Sequence, residues 1–188
     1  MTDSFVGGDI IVDPPKTLPD GKEIEYRIPT WGKFEEKELW TWDKALRFLD
    51  THPKEIIDHH KEKMRFFLKS SHKRPSSPEF AKYIATAMEG IFHKNPITNI
   101  CFFGFGRDCD SYPWHKDKMD VFLVQVLGEI KIRVEGTSFE DTPRAFVPGD
   151  CVWIPRGMHH QIITENSRVT FSFGVENDPD PSTYIAET

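Results

Sequence analysis

The chain has 188 residues, of which 38% are hydrophobic, and this is enough for one domain with its own core. Its 24 lysines and arginines against 30 aspartates and glutamates give a formal net charge of −6, which argues against a dedicated nucleic-acid-binding surface. The three cysteines, Cys101, Cys109 and Cys151, lack Cys-x-x-Cys spacing and indicate neither a disulfide framework nor a thiolate zinc site.

The amino-terminal segment predicts an extended lead-in without a targeting signal. Residues 1 to 30 contain Pro14, Pro15, Pro19 and Pro29, which suit an extended arm or an edge strand better than a helix. They lack the basic and then apolar stretches of a secretion signal, and no segment of the chain approaches the roughly 20 apolar residues of a membrane span. We therefore expect a cytoplasmic protein that does not bind membranes. The sequence does not determine whether the chain forms a homodimer.

Helical spacing dominates from Trp40 to Ile91. The first helix has apolar residues at i, i+3, i+4 and i+7, which would form one face. These residues are Trp42, Ala45, Leu46 and Leu49. A later helix is predicted after Ser77, a plausible N-cap, with Pro78 in the first helical position. Its apolar positions are Phe80, Tyr83, Ile84, Ala87, Met88 and Ile91.

The segment from Pro53 to Leu68, which lies between these two helices, also has apolar residues at helical spacing. Pro53 suits the first position of a helix. The residues on the shared side are Ile56, Ile57, His60, Met64 and Phe67 or Leu68. We therefore expect a second helix here, so that three helices form a layer on the rest of the chain.

After Asn95 and Pro96 the pattern changes to short β-branched and aromatic runs that are separated by turn residues. These runs are NICFFGFG, DVFLVQVLG, EIKIRVEG, DCVWIP, HQIIT and SRVTFSFG. Strands at this spacing indicate a barrel or sandwich. The sequence therefore predicts a single domain, with an amino-terminal arm and helices over residues 1–95, a β core over 96–176 and a tail over 177–188.

A His-x-Asp triplet stands at the edge of one predicted strand. Side chains alternate along an extended backbone, so His115 and Asp117 point the same way while Lys116 points elsewhere. The imidazole and the carboxylate can therefore converge on one metal ion. A His-x-Asp triplet alone is weak evidence, because such triplets are frequent by chance.

A second imidazole follows about forty residues later. The turn Pro148-Gly149-Asp150, a strand and a second turn lead to His159 and His160, of which only one can point inward. We prefer His160 and keep His159 as the alternative. Two histidines and one carboxylate leave coordination positions open, an arrangement that is typical of non-haem Fe(II) oxygenases.

These motifs carry a family resemblance that runs from about residue 99 to 174. HKDKMDVFLVQVLGE and VPGDCVWIPRGMHHQI together resemble the corresponding segments of the cupin-like JmjC-related oxygenases, a hydroxylase group that includes ribosomal oxygenases and asparaginyl hydroxylases. The resemblance implies an all-β core that is a double-stranded β-helix, a cupin or jelly-roll barrel. It also implies Fe(II) as the metal and 2-oxoglutarate as co-substrate, and it places His160, directly before Gln161, at the distal ligand position.

The chain departs from the family at the basic residue that pairs with the far carboxylate of 2-oxoglutarate. The family's lysine position, fifteen residues after His115, is Ile130 here, and Lys131 would face outward in a regular strand. A bulge could turn Lys131 inward, Arg168 could supply a bidentate guanidinium, or 2-oxoglutarate is not used. We favour Arg168. Tyr112 matches a position whose hydroxyl helps to hold the co-substrate in relatives, although a tyrosine that only packs at the rim is the alternative.

Three functions compete. The leading one is an Fe(II)- and 2-oxoglutarate-dependent dioxygenase that hydroxylates a small molecule or a protein side chain, with no catalytic side chain beyond the metal ligands. The second is a metal-dependent cupin enzyme that does not use 2-oxoglutarate. The third is a non-catalytic cupin that binds a small ligand, since fold alone does not determine activity.

Overall fold

The computed structural model describes residues 30–34, 40–52, 57–60, 65–69, 71–91, 97–107, 109 and 112–175. The predicted arm before residue 30 and the predicted tail lie outside these ranges. Within them, no helix is both long enough and apolar enough to cross a membrane.

The described ranges contain two α-helices and eleven strands, which are numbered in chain order. They are β1 (Thr30–Lys33), α1 (Trp42–Asp50), β2 (Ile57–His60), β3 (Arg65–Lys69), α2 (Glu79–Ile91), β4 (Ile97–Gly104), β5 (His115–Lys116), β6 (Asp120–Leu127), β7 (Ile130–Val134), β8 (Arg144–Phe146), β9 (Asp150–Ile154), β10 (His159–Thr164) and β11 (Arg168–Val175). All six runs predicted as strands are confirmed. The three-residue strand β8 was not predicted.

The strands form two antiparallel sheets. The larger sheet has the order β1-β9-β6-β11-β4-β3-β2, and the smaller sheet has the order β5-β10-β7-β8. From β4 onward the chain passes between the sheets at every step except from β7 to β8, which pair with each other. This path is that of an eight-stranded double-sheet jelly roll. The predicted double-stranded β-helix is therefore confirmed.

The larger sheet buries both of its faces, because side chains alternate along each strand. One face packs against the helices and includes Phe103, Phe171 and Phe173. The other face, with Leu123 and Val152, meets the apolar residues of the smaller sheet across the barrel interior. The predicted helical layer on a β-barrel is thus present, and the candidate site lies on the interior side.

Helix α1 is confirmed, but its buried face is rotated from the predicted one. Thr41 is the N-cap, and its side chain accepts a hydrogen bond from the Lys44 amide. Ala45 and Phe48 are buried, whereas Leu46 is 46% exposed. The Phe48 ring lies 4.8 Å from the Trp40 ring, so aromatic packing sets the rotation of the helix.

Helix α2 is also confirmed, and its start differs from the prediction. It begins at Glu79, the Pro78 carbonyl accepts a hydrogen bond from the Ala81 amide, and the Ser77 hydroxyl is buried without a hydrogen-bond partner. Ser77 is therefore not the N-cap that the sequence predicts. The apolar residues on the buried face are Phe80, Ala81, Ile84, Ala85 and Met88.

The helix predicted over residues 53–68 is wrong where the structure describes that segment. Residues 57–60 and 65–69 are β2 and β3, which pair with each other. Strand β3 also pairs with β4 along its whole length. The hydrogen bonds that β4 offers at its free edge decide the conformation against the local periodicity, as tertiary context often does for short apolar segments.

The turn before β7 gives a test of the barrel's stability. Gly128 has φ +72°, and a Cβ there would overlap the Ser167 carbonyl oxygen. Gly128→Ala should therefore lower the free energy of unfolding by at least about 2 kcal/mol, from a left-handed backbone plus a steric clash. Urea denaturation followed by circular dichroism measures this loss.

Gly136 supplies the matched control, because it has φ +69° and a Cβ added there would meet no atom within 4 Å. Gly136→Ala should cost only the backbone strain, about 1 kcal/mol. Equal losses in the two variants would contradict the proposed close approach at Gly128.

Candidate metal centre

The structure brings His115, Asp117 and His160 together. His115 and His160 are cross-strand partners on β5 and β10, so both side chains face the barrel interior. The His160 Nε2 atom lies 3.4 Å from Asp117 Oδ2, and the His115 Nε2 atom lies 4.0 Å from Asp117 Oδ1. Both imidazoles are buried, and the carboxylate is partly exposed. Among the residues that the structure describes, this is the one cluster with metal-ligand geometry.

Backbone carbonyls set the orientation of both imidazoles. His115 Nδ1 lies 2.8 Å from the Pro113 carbonyl, and His160 Nδ1 lies 3.1 Å from the Met158 carbonyl. A carbonyl only accepts hydrogen bonds, so each Nδ1 carries a proton that it donates to the carbonyl, and each Nε2 is directed toward Asp117. Metal-bound histidines typically have such a second hydrogen bond. These donors therefore fit a divalent transition metal.

The two loops that carry the ligands are joined by backbone hydrogen bonds. The Gly157 amide donates to the Asp117 carbonyl at 2.8 Å, and the Arg156 amide donates to Asp120 Oδ1 at 2.8 Å. Gly157 has φ +74°, a conformation that glycine adopts without strain. The turn that precedes the second imidazole therefore also holds the His-x-Asp loop in place.

The electrostatic environment favours a neutral His160. Burial is the largest effect and lowers the pKa of His160, the Asp117 carboxylate opposes this shift, and the neighbouring His115 adds to it. A neutral imidazole is the form that binds a metal. His160 is therefore in its metal-binding form at neutral pH.

His159 faces the opposite side of the sheet. Its Nδ1 lies 3.0 Å from Glu135 Oε2, and its ring stacks on Trp114 with 5.9 Å between centroids. The hydrogen bond from the His159 amide is the main reason that the pKa of Glu135 is lowered, and the imidazole contributes as well. The geometry agrees with the preference for His160 over His159, while metal binding itself stays a prediction.

Lys131 lies outside the barrel. Its Nζ is 2.7 Å from Glu165 Oε1, and the pairing of β7 with β10 is regular from Ile130 to Val134. The structure contradicts the alternative in which a bulge turns Lys131 inward. The side chains of a regular strand alternate, so Lys131 points to solvent and Ile130 points to the interior. Ile130 is fully buried there.

Arg168, in contrast, faces the barrel interior and is 1% exposed. Its Nη1 donates to Thr170 Oγ1 at 2.8 Å, and Thr170 Oγ1 donates to Gln125 Oε1 at 2.7 Å. The Gln125 amide donates to the carbonyls of Leu127 and Gly128. The guanidinium is thus held by a hydrogen-bonded series that ends on the backbone. Sequence reasoning did not identify the positioning roles of Gln125 and Thr170.

Tyr112 lies beside the candidate metal centre at the rim of the barrel. Its ring is 5.2 Å from the His115 ring, and it is 38% exposed. The Phe67 ring lies 6.2 Å away on the other side. This position is compatible with both sequence hypotheses for Tyr112, a co-substrate contact and rim packing.

Arg65 is a buried residue of this region that sequence reasoning missed. It lies on β3, in the segment expected to be helical, and is 6% exposed. Its guanidinium stands 5.2 Å from the Phe67 ring centroid and 5.8 Å from that of Tyr112. The available signal was the run Arg65-Phe66-Phe67-Leu68-Lys69, whose aromatic core suits a strand.

Known proteins resemble this chain in structure but not detectably in sequence. No protein-family model matches the sequence, and no curated protein is significantly similar to it. Among solved structures, the Escherichia coli ribosomal oxygenase YcfD in complex with cobalt and 2-oxoglutarate is similar, with a TM-score of 0.53 and 17% identity over 82% of this chain and 49% of that one. The chain has a cupin fold. The resemblance to JmjC-related oxygenases is thereby confirmed as a likeness of fold.

Two further solved structures match this chain with TM-scores below 0.5. A second YcfD structure has a TM-score of 0.47 at 21% identity and covers 66% of this chain and 34% of that one. A sugar phosphate isomerase of the cupin superfamily from Silicibacter pomeroyi has a TM-score of 0.41 at 15% identity, covering 61% and 60% of the two chains. This chain therefore spans half or less of the YcfD chains named here.

Proposed function

We propose that this cupin is a metal-dependent dioxygenase that binds Fe(II) through His115, Asp117 and His160 and uses 2-oxoglutarate as co-substrate. One observation carries the proposal. Two imidazole Nε2 atoms and a carboxylate converge on the interior of a barrel that also holds the buried guanidinium of Arg168. Two histidines and a carboxylate with open positions are the ligand set of non-haem Fe(II) oxygenases.

A continuous series of side-chain contacts connects the candidate metal centre with Arg168. The Tyr112 ring contacts the His115 ring on one side and the Phe67 ring on the other. Phe67 packs edge-on against Phe102 at 4.7 Å, and the Arg168 guanidinium lies 5.8 Å from the Phe102 ring. One wall of the barrel therefore links a site for a metal with a site for an anion.

Arg168 is suited to the far carboxylate of 2-oxoglutarate. A carboxylate that enters a closed barrel loses its hydration and needs a cation with hydrogen-bond donors. A guanidinium supplies these donors in a fixed planar arrangement. Thr170 uses one of them and fixes the plane, which supports Arg168 as the co-substrate residue.

Bound Fe(II) would supply coordination positions for 2-oxoglutarate and dioxygen and the redox chemistry of hydroxylation. The protein residues orient the ligands, hold the co-substrate and exclude water. The Pro113 and Met158 carbonyls orient the imidazoles, Arg168 holds the co-substrate, and the apolar interior excludes water. The structure of YcfD with cobalt and 2-oxoglutarate is consistent with a fold that accommodates both. The substrate would be a small molecule or a protein side chain.

A second candidate is a metal-dependent cupin enzyme that does not use 2-oxoglutarate. The observation that favours it is the buried Ile130, an apolar side chain at the position where the family has its basic residue. In that case Arg168 and its hydrogen bonds would be structural.

Anaerobic titration of the full chain distinguishes the two candidates. Fe(II) followed by 2-oxoglutarate should produce a weak visible charge-transfer band if both bind at the same centre. Fe(II) uptake without any response to 2-oxoglutarate would favour the second candidate. A chain that takes up no Fe(II) would refute both and leave a cupin that binds a small ligand without catalysis.

A further inference from the structure

Arg65 and Arg168 occupy the same level of the larger sheet. Both are cross-strand partners of Gly104, Arg65 from β3 and Arg168 from β11. Directly opposed residues point to the same face of a sheet. Two buried guanidinium groups therefore face the barrel interior, one strand away from Gly104 on either side.

The guanidinium groups of Arg65 and Arg168 point in different directions. Their Cα atoms are separated by two strand spacings, about 10 Å. Arg168 leans toward Thr170, whose hydroxyl bonds Gln125. Arg65 leans the other way, over the Phe67 and Tyr112 rings. A single small anion therefore does not reach both guanidinium groups, which lie at two separate positions on the inner face of the sheet.

The position at Arg65 adjoins the candidate metal centre through one aromatic ring. Tyr112 contacts the Arg65 guanidinium with its ring face and the His115 ring beside it. Tyr112 is at the rim of the barrel and is 38% exposed, so its ring lies between solvent and the buried guanidinium. A guanidinium that lies over aromatic faces can direct its in-plane N–H groups to oxygen acceptors.

We propose that Arg65 binds an oxyanion group of the substrate, so that the substrate carries a carboxylate or a phosphate in addition to the bond that reacts. This inference rests on the proposed function, in which Arg168 is assigned to the co-substrate. It narrows the substrate class from any small molecule or protein side chain to molecules that carry such an oxyanion.

The test titrates two oxyanion probes, inorganic phosphate and acetate, into the full chain and follows heat of binding. One series uses the metal-free protein, and the other uses protein with Zn²⁺ and N-oxalylglycine, a 2-oxoglutarate analogue that would occupy the metal and Arg168. At least one probe should bind in both series, and it should bind at one site where N-oxalylglycine occupies Arg168. Arg65→Gln should weaken that binding about tenfold or more, since charge-assisted hydrogen bonds are lost.

Two variants keep the result interpretable. Arg65→Lys retains the charge without the planar donors and should bind the probe with intermediate affinity. Arg47→Gln removes an exposed guanidinium on α1 and should leave binding unchanged. Comparing phosphate with acetate shows which oxyanion the site prefers.

Three results would overturn the inference: no probe binds the wild-type chain, Arg65→Gln binds as well as wild type, or N-oxalylglycine displaces the probe and fails to bind Arg65→Gln. The last result would assign Arg65 to the co-substrate. Failure of the proposed function gives a different pattern, in which Zn²⁺ or N-oxalylglycine does not bind but the probe still binds the metal-free protein through Arg65.

Discussion

Asp117→Ala is expected to lower the Fe(II) affinity of the chain by about 100-fold or more, since removal of even an outer-shell partner of a metal ligand typically costs 10- to 100-fold. Asp117 is the one carboxylate in the cluster of three donors. Its loss would leave two neutral imidazoles to hold a divalent cation. Anaerobic calorimetry with Fe(II) measures the effect.

Asp117→Asn and Asp141→Asn test whether the loss of Fe(II) affinity depends on the charge at position 117. Asp117→Asn keeps the size of the side chain and removes its charge, so we expect it to lose most of the affinity as well. Asp141 is exposed on the loop between β7 and β8, and Asp141→Asn should bind Fe(II) as wild type does. Unchanged iron content in Asp117→Ala would mean that the metal, if bound, lies elsewhere.

Arg168→Gln is expected to weaken 2-oxoglutarate binding by about 100-fold while Fe(II) binding persists, because charge-assisted hydrogen bonds contribute about 1.5–3 kcal/mol and each 1.4 kcal/mol is tenfold. The guanidinium is buried in the barrel and held by Thr170. Fe(II) binding should not change, since His115, His160 and Asp117 lie on β5, on β10 and in the loop after β5, outside the strand that carries Arg168. Anaerobic titration of the metal-free protein with Fe(II), and then of the Fe(II) protein with 2-oxoglutarate, measures the two affinities.

Lys131→Ala is the matched control, because Lys131 pairs with Glu165 on the outer face of β7. We expect it to bind 2-oxoglutarate normally. Arg168→Lys retains the charge in case the barrel does not tolerate Gln, and it should recover part of the affinity. Equal 2-oxoglutarate binding by wild type and Arg168→Gln would remove Arg168 from the co-substrate site.

The β core and the grouping of the three donors were predictable because they depend on short-range rules. Alternation along a strand puts His115 on one side with Asp117 and sends Lys116 to the other, and the same rule separates His160 from His159. Turn residues mark the strand ends in this part of the chain. The register that pairs His115 with His160 conforms to these rules.

The amino-terminal part was less predictable, because long-range pairing overrides local pattern there. Apolar residues spaced three and four apart between positions 53 and 68 satisfy a helix template, yet β3 completes a sheet edge that only the folded β4 offers. Arg65 was missed for this reason. An arginine on a predicted surface helix does not indicate a binding role. An arginine on the inner face of a barrel strand, in contrast, lies beside the candidate site.

The hydrogen-bonded series from Gln125 to Arg168 was not predictable from spacing. It depends on an irregularity between Val169 and Thr170, where the register of β11 against β6 shifts by one residue. That shift sets Thr170 opposite Gln125 and lets the Gln125 amide reach two carbonyls at the end of β6. Local sequence patterns do not specify where such a shift occurs.

Strand β5 is held in its sheet by only two residue pairs, and one of its two residues is His115. So short an edge strand opens readily, because few backbone hydrogen bonds must break. An ion shared by β5 and β10 would act as a cross-link that closes this edge. Metal binding would then hold β5 against β10, beside Tyr112, before a co-substrate or substrate binds.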